Sequence, residues 1–338
     1  MSAPHPTPAV DPAPAVALLH RARRVLLTGH ERPDGDCIGA QAALARVLAV
    51  LGKEVLILNP DPPEARFDAL VREGPFHTDD GGDLPPHDLI VLLDGGDLSR
   101  TGRLAERLTQ SPAQKLVIDH HVHDGEAWWD AAFVDVRASA TGLLVHRLAR
   151  ALEVALDAGA ARGVFTSLVT DTGWFRYSNT DPETLAVAAE LIASGVDASA
   201  LYRALFQRQP AAHPAALGRA LTRTELHLGG RLAIVDAPLG TPEEPQAEGD
   251  DVLDVLRSVE SVEVALFVRA VDAGRAKLSA RAKGAADVRL LAARFGGGGH
   301  TKAAGATLLL PLHEARRAVL DAALEMYGGL ATGERPRR

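Results

Sequence analysis

Val25–Leu26–Leu27–Thr28–Gly29–His30–Glu31–Arg32–Pro33–Asp34–Gly35–Asp36 reads as a short apolar strand that runs into a turn loaded with polar chemistry. A helical, apolar-periodic stretch follows from Ile38 to Leu51 and is broken by Gly52. Pro33 biases Arg32 toward an extended backbone, and Gly35 lets the chain turn sharply between two carboxylates. His30, Asp34 and Asp36 stand at spacings of four and two. One imidazole and two carboxylates converging on a turn suit a divalent ion, with Mn²⁺, Mg²⁺ or Zn²⁺ as candidates. The same letters also describe a plain Pro-Asp-Gly turn, with Asp36 capping the helix from Ile38 and His30 incidental.

The neighbouring segments repeat the pattern. Val55–Leu58 stops at Asn59–Pro60, Leu89–Leu93 ends in Asp94–Gly95–Gly96, and Lys115–Ile118 ends in Asp119–His120–His121. Continuous apolar strands separated by helical stretches indicate an α/β fold, a mostly parallel sheet with helices on both faces. Three of the four strands deliver His or Asp at their carboxyl ends, the edge where open α/β sheets place ligands. His120 and His121 are adjacent, so their side chains diverge: one can bind metal while the other faces substrate. Asp171 follows the apolar run Val164–Val169, and Arg100 lies six residues beyond Asp94. Each Asp alone could be turn chemistry. Together His30, Asp34, Asp36, Asp94, His120 and Asp171 are enough for two octahedral-like ions completed by water and substrate oxygens, and Asp94 on a central strand could bridge them.

Beyond Asp181 the Ala- and Leu-rich stretch from Pro182 to about Leu226 reads as a helical connector. Leu239 to Asp251 is polar and Pro-rich, a surface loop; Val262–Ala270 and Ala276–Ala280 read as strands and Val288–Phe295 as a helix. The expected organisation is a disordered tail over 1–16, a catalytic domain over 17–185, a helical linker over 186–227, a smaller α/β domain over 228–330 and a disordered tail over 331–338. The run Gly296–Gly299 before His300 could form an anion-binding concavity of backbone N–H groups or a flexible hinge. Arg281, Lys283, Arg294 and Lys302 lie near it in sequence, and a bidentate Arg281 with a donor His300 would suit a terminal phosphate. Trp174, Phe175 and Tyr177 could stack bases or pack under the metal loop. The 338-residue chain has a net charge of −8, which argues against a long non-specific grip on duplex nucleic acid but not against mononucleotides or short oligonucleotides. One cysteine, Cys37, excludes an internal disulfide framework and fits a reducing cytoplasm. No apolar run is long enough to span a membrane, so no membrane partner is expected.

The order His-x-x-x-Asp-x-Asp, Asp94, Asp-His-His, Asp171, then Gly-Gly-Gly-Gly-His with Ala303–Ala304–Gly305 resembles the DHH phosphoesterase family with its DHH-associated C-terminal domain. The resemblance spans about residues 22 to 330 and is nearest the bacterial nanoRNase and pAp phosphatase branch. It implies one ion on His30, Asp34 and Asp94, a second on Asp36, Asp94, His120 and Asp171, and a preference for Mn²⁺, with Mg²⁺ or Co²⁺ as substitutes. It implies Asp119 and His121 as catalytic residues and Arg100, Ser279, Arg281, Gly297, Gly298, Gly299 and His300 as substrate contacts. Three positions depart from the family pattern: Gly29 where Ser is frequent, Cys37 where small residues are usual, and Ala282 where Ser279–Ala280–Arg281 would be followed by Ser. The expected reaction is hydrolysis of short single-stranded RNA, dinucleotides or pAp by a metal-bridging hydroxide, with a homodimer as one possible assembly. Other readings are a RecJ-like single-stranded DNA exonuclease, a linear or cyclic dinucleotide signalling phosphodiesterase, and a non-catalytic nucleotide sensor.

Overall fold

Strands β1 (Arg24–Thr28) and β4 (Leu89–Leu93) are almost wholly buried and lie side by side at the middle of a parallel sheet in the computed structural model. The model describes residues 10–123, 126–241 and 244–329; most of the expected N-terminal tail and all of the C-terminal one lie outside these. The chain divides into two compact units, Met1–Arg208 and Gln209–Arg338.

The first unit comprises α1 (Ala13–Arg21), β1, α2 (Gly35–Val50), β2 (Glu54–Asn59), α3 (Asp68–Val71), β3 (Phe76–Thr78), β4, α4 (Ala105–Gln110), β5 (Gln114–Asp119), β6 (Ala131–Val134), α5 (Thr141–Ala151), α6 (Ala158–Asp171), α7 (Pro182–Ala193) and α8 (Ala198–Phe206). Its six strands are all parallel, in the order β3-β2-β1-β4-β5-β6. Alternate residues of a strand face opposite ways. Val25, Leu27, Val91 and Leu93 therefore join the large core with α1, α2, α5 and α6, while Leu26 and Ile90 join Leu98, Leu104 and Leu108 on the other face. Burying each such side chain is worth about 1.5–3 kcal/mol, so both faces are driven to be covered. The strand order reverses between β1 and β4, which opens a crevice at their carboxyl ends.

Two expectations need correction here. α1 starts at Ala13, inside the stretch expected as tail: a proline is tolerated in a helix's first turn, and Ala15, Leu18 and Leu19 are buried. Arg32 is not extended but left-handed, with φ 53°; its N–H is held by Asp61 Oδ2 at 2.8 Å, which outweighs the bias imposed by Pro33.

The second unit holds α9 (His213–Leu221), β7 (Glu225–His227), β8 (Leu232–Ala237), α10 (Gly249–Ser258), β9 (Val264–Ala270), β10 (Ala276–Ala282), α11 (Val288–Ala293), β11 (Gly298–His300), β12 (Ala303–Leu308) and α12 (Leu312–Tyr327). Its mixed sheet runs β11-β12-β10-β9-β8-β7, with β8 and β9 parallel and the other pairs antiparallel. Leu232, Ile234 and Leu266 face the core shared with α11 and α12, whereas Ala233, Val235 and Phe267 face α9 and α10. The stretch expected as a linker is thus divided, with α7 and α8 in the first unit and α9 in the second. The expected surface loop ends early, because α10 begins at Gly249 and buries Val252, Leu253 and Leu256.

Candidate metal centre

At the crevice, four separate segments bring His30, Asp34, Asp36, Asp94, His120 and Asp171 together. His30 follows β1 and its Nε2 stands 3.5 Å from Asp94 Oδ2 and 3.9 Å from Asp34 Oδ1. Asp94 follows β4 with φ 57°, a left-handed conformation that Asp tolerates better than most residues. His120 follows β5, and its Nε2 lies 3.4 Å from Asp36 Oδ2, 3.6 Å from Asp94 Oδ1 and 3.9 Å from Asp171 Oδ2. Asp171 is the last residue of α6. The turn after β1 does cap α2, but through Asp34, which accepts from the N–H groups of Asp36 and Cys37; Asp36 instead points into the centre.

Four of these side chains are held from behind. Asp36 accepts hydrogen bonds from Thr141 N at 2.8 Å, Gly142 N at 3.2 Å and Ser167 Oγ at 2.5 Å. His120 Nδ1 lies 3.1 Å from the Ala138 carbonyl and His30 Nδ1 2.8 Å from that of Glu31, which turns both Nε2 atoms toward the carboxylates. Asn179 Nδ2 donates to Asp171 Oδ2 at 3.2 Å. Sequence reasoning missed Thr141, Gly142, Ser167 and Asn179; Thr141 lies 105 residues from Asp36 and Ser167 lies 131, so no local spacing signals them.

The electrostatics are those of crowded carboxylates, Asp36 and Asp94 buried and Asp34 exposed. Burial and then the charge of Asp94 push Asp36 well above the usual carboxylate range and raise Asp34 as well. Burial also carries Asp171 up to about 6 against the attraction of His120. Asp94 is the exception: burial would raise it, but His120, His30 and His121 hold it well below the ordinary value. Burial would lower His120, yet Asp94, Asp36 and Asp171 raise it to about 11. Meanwhile His120 Nε2 is buried, with no well-formed hydrogen bond among the described residues. An imidazole nitrogen facing three carboxylates at 3.4–3.9 Å has the spacing of ligands around a shared centre. The residues present fit a divalent cation.

Beside this centre, His121 Nδ1 is 2.7 Å from Asp119 Oδ1 and 3.5 Å from Asp94 Oδ1. Asp119 is fully buried and also faces His123 Nε2 at 3.5 Å, a histidine that sequence reasoning did not single out. His121, His123, Asp97, Arg100, Val122 and Trp128 line a cavity of about 460 Å³. Arg100 is fixed there through its backbone, accepting from Glu31 N at 2.7 Å and donating to Asp97 O at 3.0 Å. Trp128 Nε1 donates to Gly96 O at 3.0 Å, which closes one wall. Trp174 and Phe175 pack against the large core instead of lining this cavity.

In the second unit, Ser279 and Arg281 lie on one face of β10, and Arg281 Nη2 pairs with Asp250 Oδ1 at 2.7 Å. The glycine run is not an open turn over its length: Gly298–His300 forms strand β11 against β12. Gly297 and Gly299 are needed there, because an added Cβ would overlap the Gly305 and Ala303 carbonyls respectively. The side chain of His300 lies outside the described residues.

Residues 24–196 match the model of the DHH family, N-terminal domain, and residues 243–327 match that of the DHHA1 domain. The chain is 36% identical over 304 residues to a bifunctional oligoribonuclease and PAP phosphatase, NrnA, of Thermus thermophilus, covering 89% of each protein. It superposes with a TM-score of 0.82 and 25% identity on the crystal structure of an exopolyphosphatase-related protein from Bacteroides fragilis, over 96% of this chain and 99% of that one. It shares its fold with RecJ of Thermus thermophilus, solved with Mn²⁺, at a TM-score of 0.57 and 18% identity, over 98% of this chain and 57% of RecJ.

Proposed function

The chain belongs to the DHH family and carries a DHHA1 domain, and from that premise we propose that it is a metal-dependent phosphoesterase. Its reading as a hydrolase of short oligoribonucleotides to mononucleotides, with 3′-dephosphorylation of pAp, is supported by its similarity to a bifunctional oligoribonuclease and PAP phosphatase over most of its length. The observation that carries the metal dependence is the buried, unpartnered His120 Nε2 among three carboxylates. His30, Asp34 and Asp94 would hold one ion, and Asp36, Asp94, His120 and Asp171 would hold the other, with Mn²⁺ as the expected metal and Mg²⁺ or Co²⁺ as substitutes. When bound, such ions supply Lewis acidity toward the phosphoryl group and lower the pKa of water. The chain's own residues do the rest. Asp119 fixes the His121 ring through Nδ1, and His121 delivers the proton to the leaving oxygen. Arg100 is the candidate substrate contact of the first unit, and Ser279, Arg281, His300 and the backbone of Gly297, Gly298 and Gly299 are those of the second. The work is cytoplasmic, where short RNA fragments arise.

The test is product analysis of a 5′-labelled RNA ladder with Mn²⁺, with pAp in a parallel reaction. Rapid conversion of the shortest RNAs to mononucleotides, with long strands nearly inert, is the expected result. Processive digestion of long single-stranded DNA would move the assignment to an exonuclease of the RecJ type. Nucleotide binding without turnover of any substrate would make the protein a sensor.

A further inference from the structure

Cys37 is the chain's single cysteine, buried in the first turn of α2 with Asp36 on one side and Ile38 on the other. It is not isolated. One donor atom each from His30, Cys37 and Asp94 fall within 4.8 Å of one another, and all three residues are buried. The thiol also lies 4.0 Å from the Leu93 carbonyl, at the residue that delivers Asp94. Room for the sulfur comes from Gly29: a Cβ built there would overlap Cys37 Sγ. So the strand end that presents His30 is hollowed to admit sulfur beside the imidazole. A second observation points to a cation at the same carboxylate: His120 Nε2, on a side chain only 9% exposed, has no well-formed hydrogen bond among the described residues and faces Asp94 from its other side.

We propose that Cys37 Sγ is a further donor to the ion held by His30 and Asp94, so that this position has a mixed nitrogen, oxygen and sulfur set. This rests on the reading of His30 and Asp94 as metal ligands. Coordination forms the metal–sulfur bond as the S–H proton passes to solvent. Thiolate donors select thiophilic ions over hard ones. The sulfur therefore raises the affinity of this position for Co²⁺ or Zn²⁺ relative to Mn²⁺ or Mg²⁺, a shift that the sulfur-free position built on Asp36, His120 and Asp171 does not share. Within one centre the two ions then differ in chemistry, and the side chain that separates them is Cys37.

The probe is Co²⁺ alone, added to the metal-free full-length protein and followed by absorption spectroscopy. Bound Co²⁺ shows visible d–d bands whatever its ligands, and thiolate ligation adds an intense near-ultraviolet charge-transfer band. With one cysteine in the chain, that band has a single source. Both bands are expected in the native protein. Cys37→Ala and the nearly isosteric Cys37→Ser are expected to keep the d–d bands and lose the charge-transfer band. Their affinity for Co²⁺ relative to Mn²⁺ should fall by about tenfold or more, since even outer-shell changes cost about 10–100-fold. Visible bands without charge transfer in the native protein, or charge transfer that survives in either variant, overturns the sulfur ligand and leaves the metal centre standing. Absence of both bands at saturating Co²⁺ overturns the metal centre and the sulfur ligand together.

Discussion

Asp94 faces both of the imidazoles that aim Nε2 into the centre, His30 through one oxygen and His120 through the other. Its left-handed backbone makes Asn the replacement that preserves the turn, since Asn shares that tolerance. Asp94→Asn is expected to fold with a native circular dichroism spectrum and to lose turnover; calorimetric titration with Mn²⁺ should show fewer bound ions than in the parent. Retention of two ions and full activity would remove Asp94 from its bridging role. Protons compete with metal at the same atoms. Asp171 must ionise from a value raised to about 6 and His120 must shed a proton held up to about 11. Apparent Mn²⁺ affinity is therefore expected to climb steeply as pH rises through about 6 and to keep climbing above it. Titrations in buffers of different ionisation enthalpy should report net proton release. The six side chains that the structure brings together were all singled out in the sequence, because each sits at a strand end or a helix end where local pattern marks it. What stayed hidden was their support: Ser167 and Asn179 act on Asp36 and Asp171 through contacts that only the folded chain creates.

Helices α2 and α6 carry the centre's geometry between them. Asp36 lies in the first turn of α2 and Asp171 ends α6. The two helices meet at a pair of glycines: a Cβ on Gly39 would lie 2.5 Å from the Gly163 carbonyl, and one on Gly163 would lie 2.7 Å from that of Gly39. Backbone cannot yield as a side chain can, so the helices would have to part. Gly163→Ala is expected to destabilise the protein by about 1–3 kcal/mol, the ordinary cost of overpacking. It should also weaken Mn²⁺ binding although no donor is altered; a lower thermal midpoint with unchanged metal affinity would show that the crossing matters to stability alone. The glycine run at 296–299 is the contrasting case. Composition marks a loop, yet pairing with β12 makes part of it a strand, because the close approach of the neighbouring backbone decides, and this is invisible in the run itself.

Over the whole molecule, the six side chains that converge on the candidate centre all belong to the unit ending at Arg208. A fragment of residues 1–208 is therefore expected to bind Mn²⁺ with the stoichiometry of the full chain while losing hydrolysis of short RNA, measured by titration and by product analysis. Failure of the fragment to bind metal would mean that the centre depends on the second unit. The fold class was readable because buried parallel strands are continuously apolar. The division of the 182–227 stretch between two units was not, since helical periodicity says nothing about which core a helix joins. A centre made of mutually repelling acids sets durability against chemistry. Raised from 3.8 to about 6, Asp171 contributes stability at low pH that is lost as pH rises through about 6. At pH 8 without metal its charge works against the fold, and Asp171→Asn should melt at a higher temperature than the parent. Heat selection applied to the metal-free protein would accordingly erode the very carboxylates that the proposed reaction calls for, and only a supply of metal makes the two pressures agree.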